Sequence, residues 1–266
     1  FLAHIPRRIG YDIAECRPFL STALPYEAGH HEVEQNMRLV RATQRYHGRI
    51  EQKMDGEARP GRLDVRLRYV LQEEDLAWVK ELLREKDVGP GTPLVCIHPG
   101  AGTKVKQWAP ERFAAVADAL AQEYGARIVI TGSAMEMSLA WKVASHMRYP
   151  AIVLAGRTTI GQLAALMSKS DLVIGSDSGP LHLAVAVGTS TIHLFGPADP
   201  RLFGPWGDPK RNIVVMSPKE CAPCNRLDYS AEEIEAHSCM DEITVCRVLE
   251  VARTILNSTK CTGKEG

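Results

Sequence analysis

No stretch of the 266 residues approaches the roughly 18 consecutive apolar residues that a membrane-spanning helix requires, and Phe1 to Arg8 does not read as a secretory signal. A soluble, cytoplasmic protein is therefore expected. An excess of charge of one sign is also missing. Lys+Arg and Asp+Glu both number 32, so no global field recruits nucleic acid or an anionic membrane, and any anion site must be local. Cysteine is sparse: seven residues, an odd count spread over a long chain, exclude the dense even framework of a small disulfide-stapled domain and predict reduced thiols. The loops that follow candidate strands lack both the Walker pattern and the G-x-G-x-x-G fingerprint, which argues against a kinase or a dehydrogenase.

What is present is an ordinary globular composition, 45% hydrophobic and 24% charged, with room for one large domain or two smaller ones. From Pro93 onward short apolar runs alternate with longer amphipathic ones. Leu94 to His98, Arg127 to Thr131, Ala151 to Leu154, Asp171 to Gly175 and Thr189 to Leu194 read as buried strands. Pro110 to Tyr124, Ala134 to Met147, Thr159 to Ser168 and Pro180 to Val187 read as the helices between them, two of them with Pro in the first turn. This rhythm predicts an α/β fold with a doubly wound parallel sheet. Leu67 to Leu71 and Glu73 to Glu85 read as a strand and helix leading into it, and Asp241 to Leu256 as a final amphipathic helix. The first 60 residues break the rhythm, and polar, glycine-bearing Gln44 to Arg62 reads as a linker.

In an open parallel sheet, ligands bind at the carboxyl ends of the strands. The strongest candidate loop is Gly175-Ser176-Asp177-Ser178-Gly179-Pro180-Leu181-His182, leaving a strand and opening a helix. Ser178 suits the cap and Pro180 the first helical turn, where it has no amide hydrogen to waste. The glycines admit a ligand closely, and the helix N-terminus favours an anion such as a diphosphate. A second loop, His98 to Trp108, offers Gly102 and Thr103 to a phosphate and Lys104 or Lys106 as the cation beside it. The third, Thr131-Gly132-Ser133-Ala134-Met135-Glu136, offers Glu136 to a ribose diol. Trp108 reads as a packing residue rather than a stacking one.

The successive segments HPGAG, KQWAPERFAAVADAL, IVITGSAMEM and DLVIGSDSGPLHLAVAVGTSTIHLFGPADP resemble the donor-domain motifs of glycosyltransferase family nine, the heptosyltransferases, over about Pro93 to Val248. Arg8-Ile9-Gly10-Tyr11 and His31-Glu32-Val33-Glu34 are similar, more weakly, to the closing part of that family's N-terminal domain. The resemblance implies a GT-B-like two-domain architecture: residues 1–66 as a remnant of the acceptor domain with its linker, and residues 67–266 as a complete Rossmann-like donor domain whose final helix, 241–256, packs back toward the N-terminal part. It implies an inverting, metal-independent transfer of a heptose or related sugar from an ADP-sugar to a lipopolysaccharide core or related glycan. No cofactor or nucleic acid is implied, and the enzyme would associate peripherally with the inner membrane surface.

Carried over by motif, Lys106 contacts the donor phosphates and stabilises the leaving group, Glu136 holds the ribose, and Asp177, Ser178, Gly179 and His182 form the diphosphate loop, with Gly102, Thr103, Thr131, Gly132 and Pro180 completing the donor site. The family's glycine-rich opening loop and catalytic base lie upstream of the Arg-Ile-Gly-Tyr segment, so they are expected before Phe1. A non-catalytic nucleotide-sugar-binding module is therefore the competing expectation. Finally, Cys221-x-x-Cys224 with Cys239 and Cys246 reads as free thiols, with a structural zinc on Cys221, Cys224 and Cys239 as the alternative and His237 making up the ligand set.

Overall fold

A computed structural model describes residues 5–13, 15–45, 66–237 and 239–261, so the linker read over Gln44 to Arg62 lies, from residue 46 on, outside the described residues. The chain divides into two compact units: Phe1–Val65 with Arg201–Phe203, and Arg66–Pro200 with Gly204–Gly266.

In the first unit, strands β1 (Ile9–Tyr11) and β2 (Thr22–Leu24) pair in parallel, and helix α1 (Glu32–Arg45) packs against β1. The helix has a polar sequence; of its apolar residues Val33, Met37 and Leu39 are partly buried and Val40 is exposed. Tyr11 fastens it: its hydroxyl donates to the Gln35 carbonyl at 2.6 Å, and the Arg38 guanidinium lies 5.7 Å from its ring centroid.

The second unit opens with α2 (Glu73–Glu85) and continues through β3 (Leu94–His98), α3 (Pro110–Tyr124), β4 (Arg127–Ile130), α4 (Met137–His146), β5 (Ile152–Val153), α5 (Ile160–Ser168), β6 (Leu172–Ser176), α6 (Gly179–Ala186) and β7 (Thr191–Phe195); after the short helix α7 (Pro200–Phe203), which from Arg201 on groups with the first unit, come β8 (Asn212–Met216), α8 (Ala231–Ala236) and α9 (Val245–Cys261). Its strands form one parallel sheet in the order β5-β4-β3-β6-β7-β8. The chain moves outward from β3 to β5, then returns to β3's other side with β6. That reversal is the topological switch point of a Rossmann-type sheet.

Alternation along the strands sorts the core into two layers. Val95, Ile97, Ile128, Ile130, Leu172, Ile174, Ile192 and Leu194 pack with α3 and α9 on one face, while Leu94, Cys96, Val129, Ile152 and Val173 meet α2, α5 and α6 on the other. A strand buried on both faces reads as an unbroken apolar run, which is why these strands were legible. Phe113 and Leu120 in α3 are fully buried, each stabilising the fold by about 1.5–3 kcal/mol. Helix α3 begins with Pro110 and ends at Gly125, whose φ of +64° lets its N–H reach the Ala121 carbonyl at 3.0 Å.

The structure departs from the sequence reading in four places. Leu67 to Leu71 is no strand: it alternates in burial, but it joins no ladder, and Tyr69 N–H reaches only as far as the Ala186 carbonyl, 3.3 Å away. The helix expected from Ala134 starts as a 3-10 turn, Ala134–Glu136, before α4. Edge strand β8 was not anticipated, although Ile213 to Met216 is an apolar run after a Gly/Pro-rich turn. The final helix begins at Val245, and its apolar face, Val248, Leu249, Val251, Ala252, Ile255 and Leu256, is built into the core of its own unit against α3 and β6 to β8.

Candidate functional site

The two loops flanking the switch point leave neighbouring strands. His98 pairs with Gly175 in the β3–β6 ladder, so the His98–Trp108 loop and the Ser176–His182 loop emerge side by side. Gly175 permits this closeness, because a Cβ there would sit 2.5 Å from the His98 carbonyl oxygen and 2.7 Å from Leu181. Trp108 anchors the far end of the first loop as a packing residue: it is fully buried, edge-on to Phe113 at 5.0 Å, with its indole N–H donating to the Ile243 carbonyl at 3.0 Å.

Between the loops stands an ion pair. Lys106, at the end of the 3-10 turn Lys104–Lys106, places Nζ 2.9 Å from Asp177 Oδ2, and the two side chains are 15% and 10% exposed. Lys104 is exposed, so Lys106 is the cation of the site. His182, on the first turns of α6, brings Nε2 to 3.9 Å from Asp177 Oδ1, a charge contact too long for a hydrogen bond. Burial by itself would raise the Asp177 carboxyl, but His182 and Lys106 outweigh it and hold the group below its ordinary value, hence ionised.

Three hydroxyls flank this pair: Thr103, three residues before Lys106, and Ser176 and Ser178, on either side of Asp177. Each Oγ is buried, and among the described residues each lacks a hydrogen-bond partner. Ser178 occupies the N-cap position of α6 but makes no capping bond, contrary to expectation, so its hydroxyl is not absorbed by the helix. Gly102 and Gly179 face open space. Pro180 starts the helix as expected. Buried donors without partners are rare because each costs about 1–3 kcal/mol, so three in one place mark a polar site.

The third loop divides differently. Ser133 N–H and Oγ–H both donate to Glu136 Oε2, at 2.7 and 2.8 Å, so that oxygen serves the local turn. Glu136 Oε1 makes no hydrogen bond among the described residues and lies over Gly100, where a Cβ would meet it at 1.8 Å. Burial pushes the Glu136 carboxyl up, yet the Ser133 hydrogen bonds and the His98 ring bring it below its usual range. Gly132 packs against Glu136 Cβ and Ala155. Thr131 needs correcting: it is fully buried and its hydroxyl is engaged with His98 Nδ1 at 3.1 Å and the Ile97 carbonyl at 3.4 Å, so it supports His98 rather than facing a ligand. His98 itself, with its titration depressed by burial, and the equally buried His193 on β7 belong to the site's floor. Neither was singled out from sequence, where a histidine inside an apolar strand carries no periodic signal.

Cys221 and Cys224 lie near enough to Cys239 to act on its thiol. Cys239 is buried against Gly196, Cys221 and Cys224 are exposed, and burial pushes the Cys239 thiol up to about 11. Among the described residues no group of three or more His, Cys, Asp or Glu side chains is arranged to hold a metal.

Comparison with known proteins finds matches along the chain. The sequence profile of glycosyltransferase family 9 (heptosyltransferase) matches residues 1–234. Lipopolysaccharide heptosyltransferase 3 of Escherichia coli is 38% identical over 133 residues, 48% of this chain and 39% of that protein. Lipooligosaccharide heptosyltransferase 2 of Campylobacter jejuni is 27% identical over 173 residues, 64% of this chain and 53% of its own length. The chain thus spans well under two thirds of these relatives. Among solved structures, a glycosyl transferase family 9 protein of Veillonella parvula superposes with a TM-score of 0.73 at 22% identity, covering 96% of this chain and 68% of that one. E. coli ADP-heptose LPS heptosyltransferase II gives 0.73 at 20% identity, with 97% and 72% covered. At these identities the likeness speaks for the GT-B-like α/β fold.

Proposed function

The chain belongs to glycosyltransferase family 9, and from that premise we propose that its second unit is the donor site of an enzyme that transfers a heptose or related sugar from an ADP-linked donor to a lipopolysaccharide core or related glycan. The observation that carries this reading is the set of unpartnered hydroxyls on Thr103, Ser176 and Ser178, flanking the Lys106–Asp177 pair where α6 begins. A diphosphate is rich in acceptors and negative charge, which is what three donors, a lysine and a helix N-terminus together accommodate. In this reading Glu136 Oε1 accepts from a ribose hydroxyl, supported by Ser133 holding the other oxygen still.

The acceptor hydroxyl oxygen attacks the anomeric carbon as that carbon's bond to the β-phosphate oxygen breaks, inverting the centre. The electron pair leaves with ADP, whose growing negative charge Lys106 and the hydroxyls stabilise without a metal. The attacking hydroxyl's proton goes to a carboxylate. We assign that role to no residue of the second unit, because Asp177 is ion-paired and Glu136 is bound to Ser133. The same pairing argues against an epimerase or hydrolase acting through His182 and Asp177.

We place the protein in the cytoplasm, meeting its lipid-linked acceptor at the inner membrane surface. Among the described residues no helix is long and apolar enough to cross a membrane. Calorimetric titration with ADP, UDP and GDP without added metal tests the donor reading. Selective ADP binding that weakens in Lys106→Ala supports it, and absence of binding to every nucleotide refutes it for this chain.

A further inference from the structure

Beneath the site, one hydrogen-bonded chain runs across the outer strands of the sheet. Asn212 Nδ2 donates to the Asp208 carbonyl at 3.0 Å, which fixes the orientation of that amide and leaves its Oδ1 as an acceptor. Thr191 Oγ1–H donates to Asn212 Oδ1 at 2.9 Å. With its single hydrogen committed, Thr191 can only accept from His193 Nε2, 2.9 Å away. His193 therefore carries a proton on Nε2, and its burial disfavours a second one on Nδ1. Burial first, and then the nearby His182, push its protonation down to about 3 against the pull of Asp177.

His193 Nδ1 is buried and, among the described residues, has no partner. The residue is fully buried and pairs in the ladder with Gly175, so it lies beside the strand end that carries Ser176 and Asp177. Across from it stands His182, the ring centroids 5.7 Å apart and the planes tilted by 57°, while Phe195 stacks at 6.4 Å. A fixed acceptor beside a histidine at the mouth of an anion site has a direct chemical use. A doubly protonated ring beside a diphosphate would have two N–H groups to place.

We propose that His193 is a positioning residue for His182: its Nδ1 accepts one N–H of the His182 ring and so turns the other N–H onto the donor diphosphate. This rests on the diphosphate reading above and adds to it a residue that touches no substrate. The chain from Asp208 through Asn212 and Thr191 makes the acceptor unambiguous, because a flipped His193 tautomer would leave Thr191 facing a second acceptor.

The test is ADP titration of the full chain as wild type, His193→Leu, His193→Asn and Lys106→Ala, with nitrogen NMR of histidine-labelled wild-type protein. The expected result is about a tenfold loss of ADP affinity in His193→Leu, as for one hydrogen bond to a charged group, and recovery to within about threefold in His193→Asn, whose oxygen stands near the place of Nδ1. In the NMR experiment, ADP should move His193 Nδ1 from a bare to a hydrogen-bonded acceptor while Nε2 stays protonated. If His193→Leu does not fold, this nitrogen signature decides. A folded His193→Leu with wild-type affinity, or an Nδ1 resonance unmoved at saturating ADP, overturns the proposal while a weakened Lys106→Ala keeps the diphosphate reading. A wild type that does not bind ADP, or a Lys106→Ala that binds it unchanged, overturns both.

Discussion

Lys106 and Asp177, 71 residues apart in the chain, meet at 2.9 Å across the switch point of the sheet. The pair does two things at once. It ties together the loops that leave β3 and β6, and it keeps a cation at the site with its side chain only 15% exposed. An anionic ligand entering here competes with Asp177 for the same Nζ.

Lys106→Ala should weaken ADP binding by about 10- to 100-fold, roughly 1.4–2.8 kcal/mol. It should also destabilise the fold, because it leaves the ionised Asp177 with its nearer partner gone. In a double-mutant cycle with Asp177→Asn, the two stability losses should not add, since both variants break one interaction. Additive losses in urea unfolding would mean that the two side chains act separately.

Ser178→Ala and Thr103→Val should behave in the opposite way to ordinary core variants. Among the described residues their hydroxyls have no partner, so removing them should leave stability unchanged or raise it slightly, while ADP affinity drops by about three- to tenfold for each. Loss of stability with unchanged affinity would return both residues to a structural role.

Gly175→Ala and Gly100→Ala separate rigid from yielding contacts. At Gly175 a Cβ meets the His98 backbone oxygen at 2.5 Å, so unfolding measurements should show a loss of about 1–3 kcal/mol or more. At Gly100 it meets the end of the Glu136 side chain at 1.8 Å, which can swing aside. Stability should then change little, and ADP binding should fall because Glu136 has left its place.

Acid should weaken the fold before any carboxylate titrates. His193 protonates near 6.5 when exposed and near about 3 when folded, so between those values the unfolded chain holds one more proton and stability falls as pH falls, by up to about 1.4 kcal/mol per pH unit. His193→Asn should remove one proton's worth of that slope. Asp177 adds to the loss only at lower pH: its folded value is depressed, so its contribution is present above the ordinary carboxylate range and lost as pH falls through the folded value.

The sequence by itself determined five of the sheet's six strands and the address of the candidate site. Strands such as Leu94–His98, buried on both faces, are apolar throughout, and helices such as Pro110–Tyr124 announce their ends through Pro and Gly, so local chemistry sufficed. Loops of small and polar residues at strand ends located Lys106, Glu136 and Asp177 because ligands of parallel sheets bind there. Only the tertiary structure decided which atoms remain available. Thr131 and Thr103 look alike in sequence, yet one hydroxyl is tied to His98 and the other has no partner among the described residues. Lys106 finds Asp177 from 71 residues away, and His193 inherits its tautomer from Asn212 on another strand. These are pairings through space, set by strand order and register, and a one-dimensional pattern carries local periodicity but not which distant hydrogen-bonding group lies opposite which.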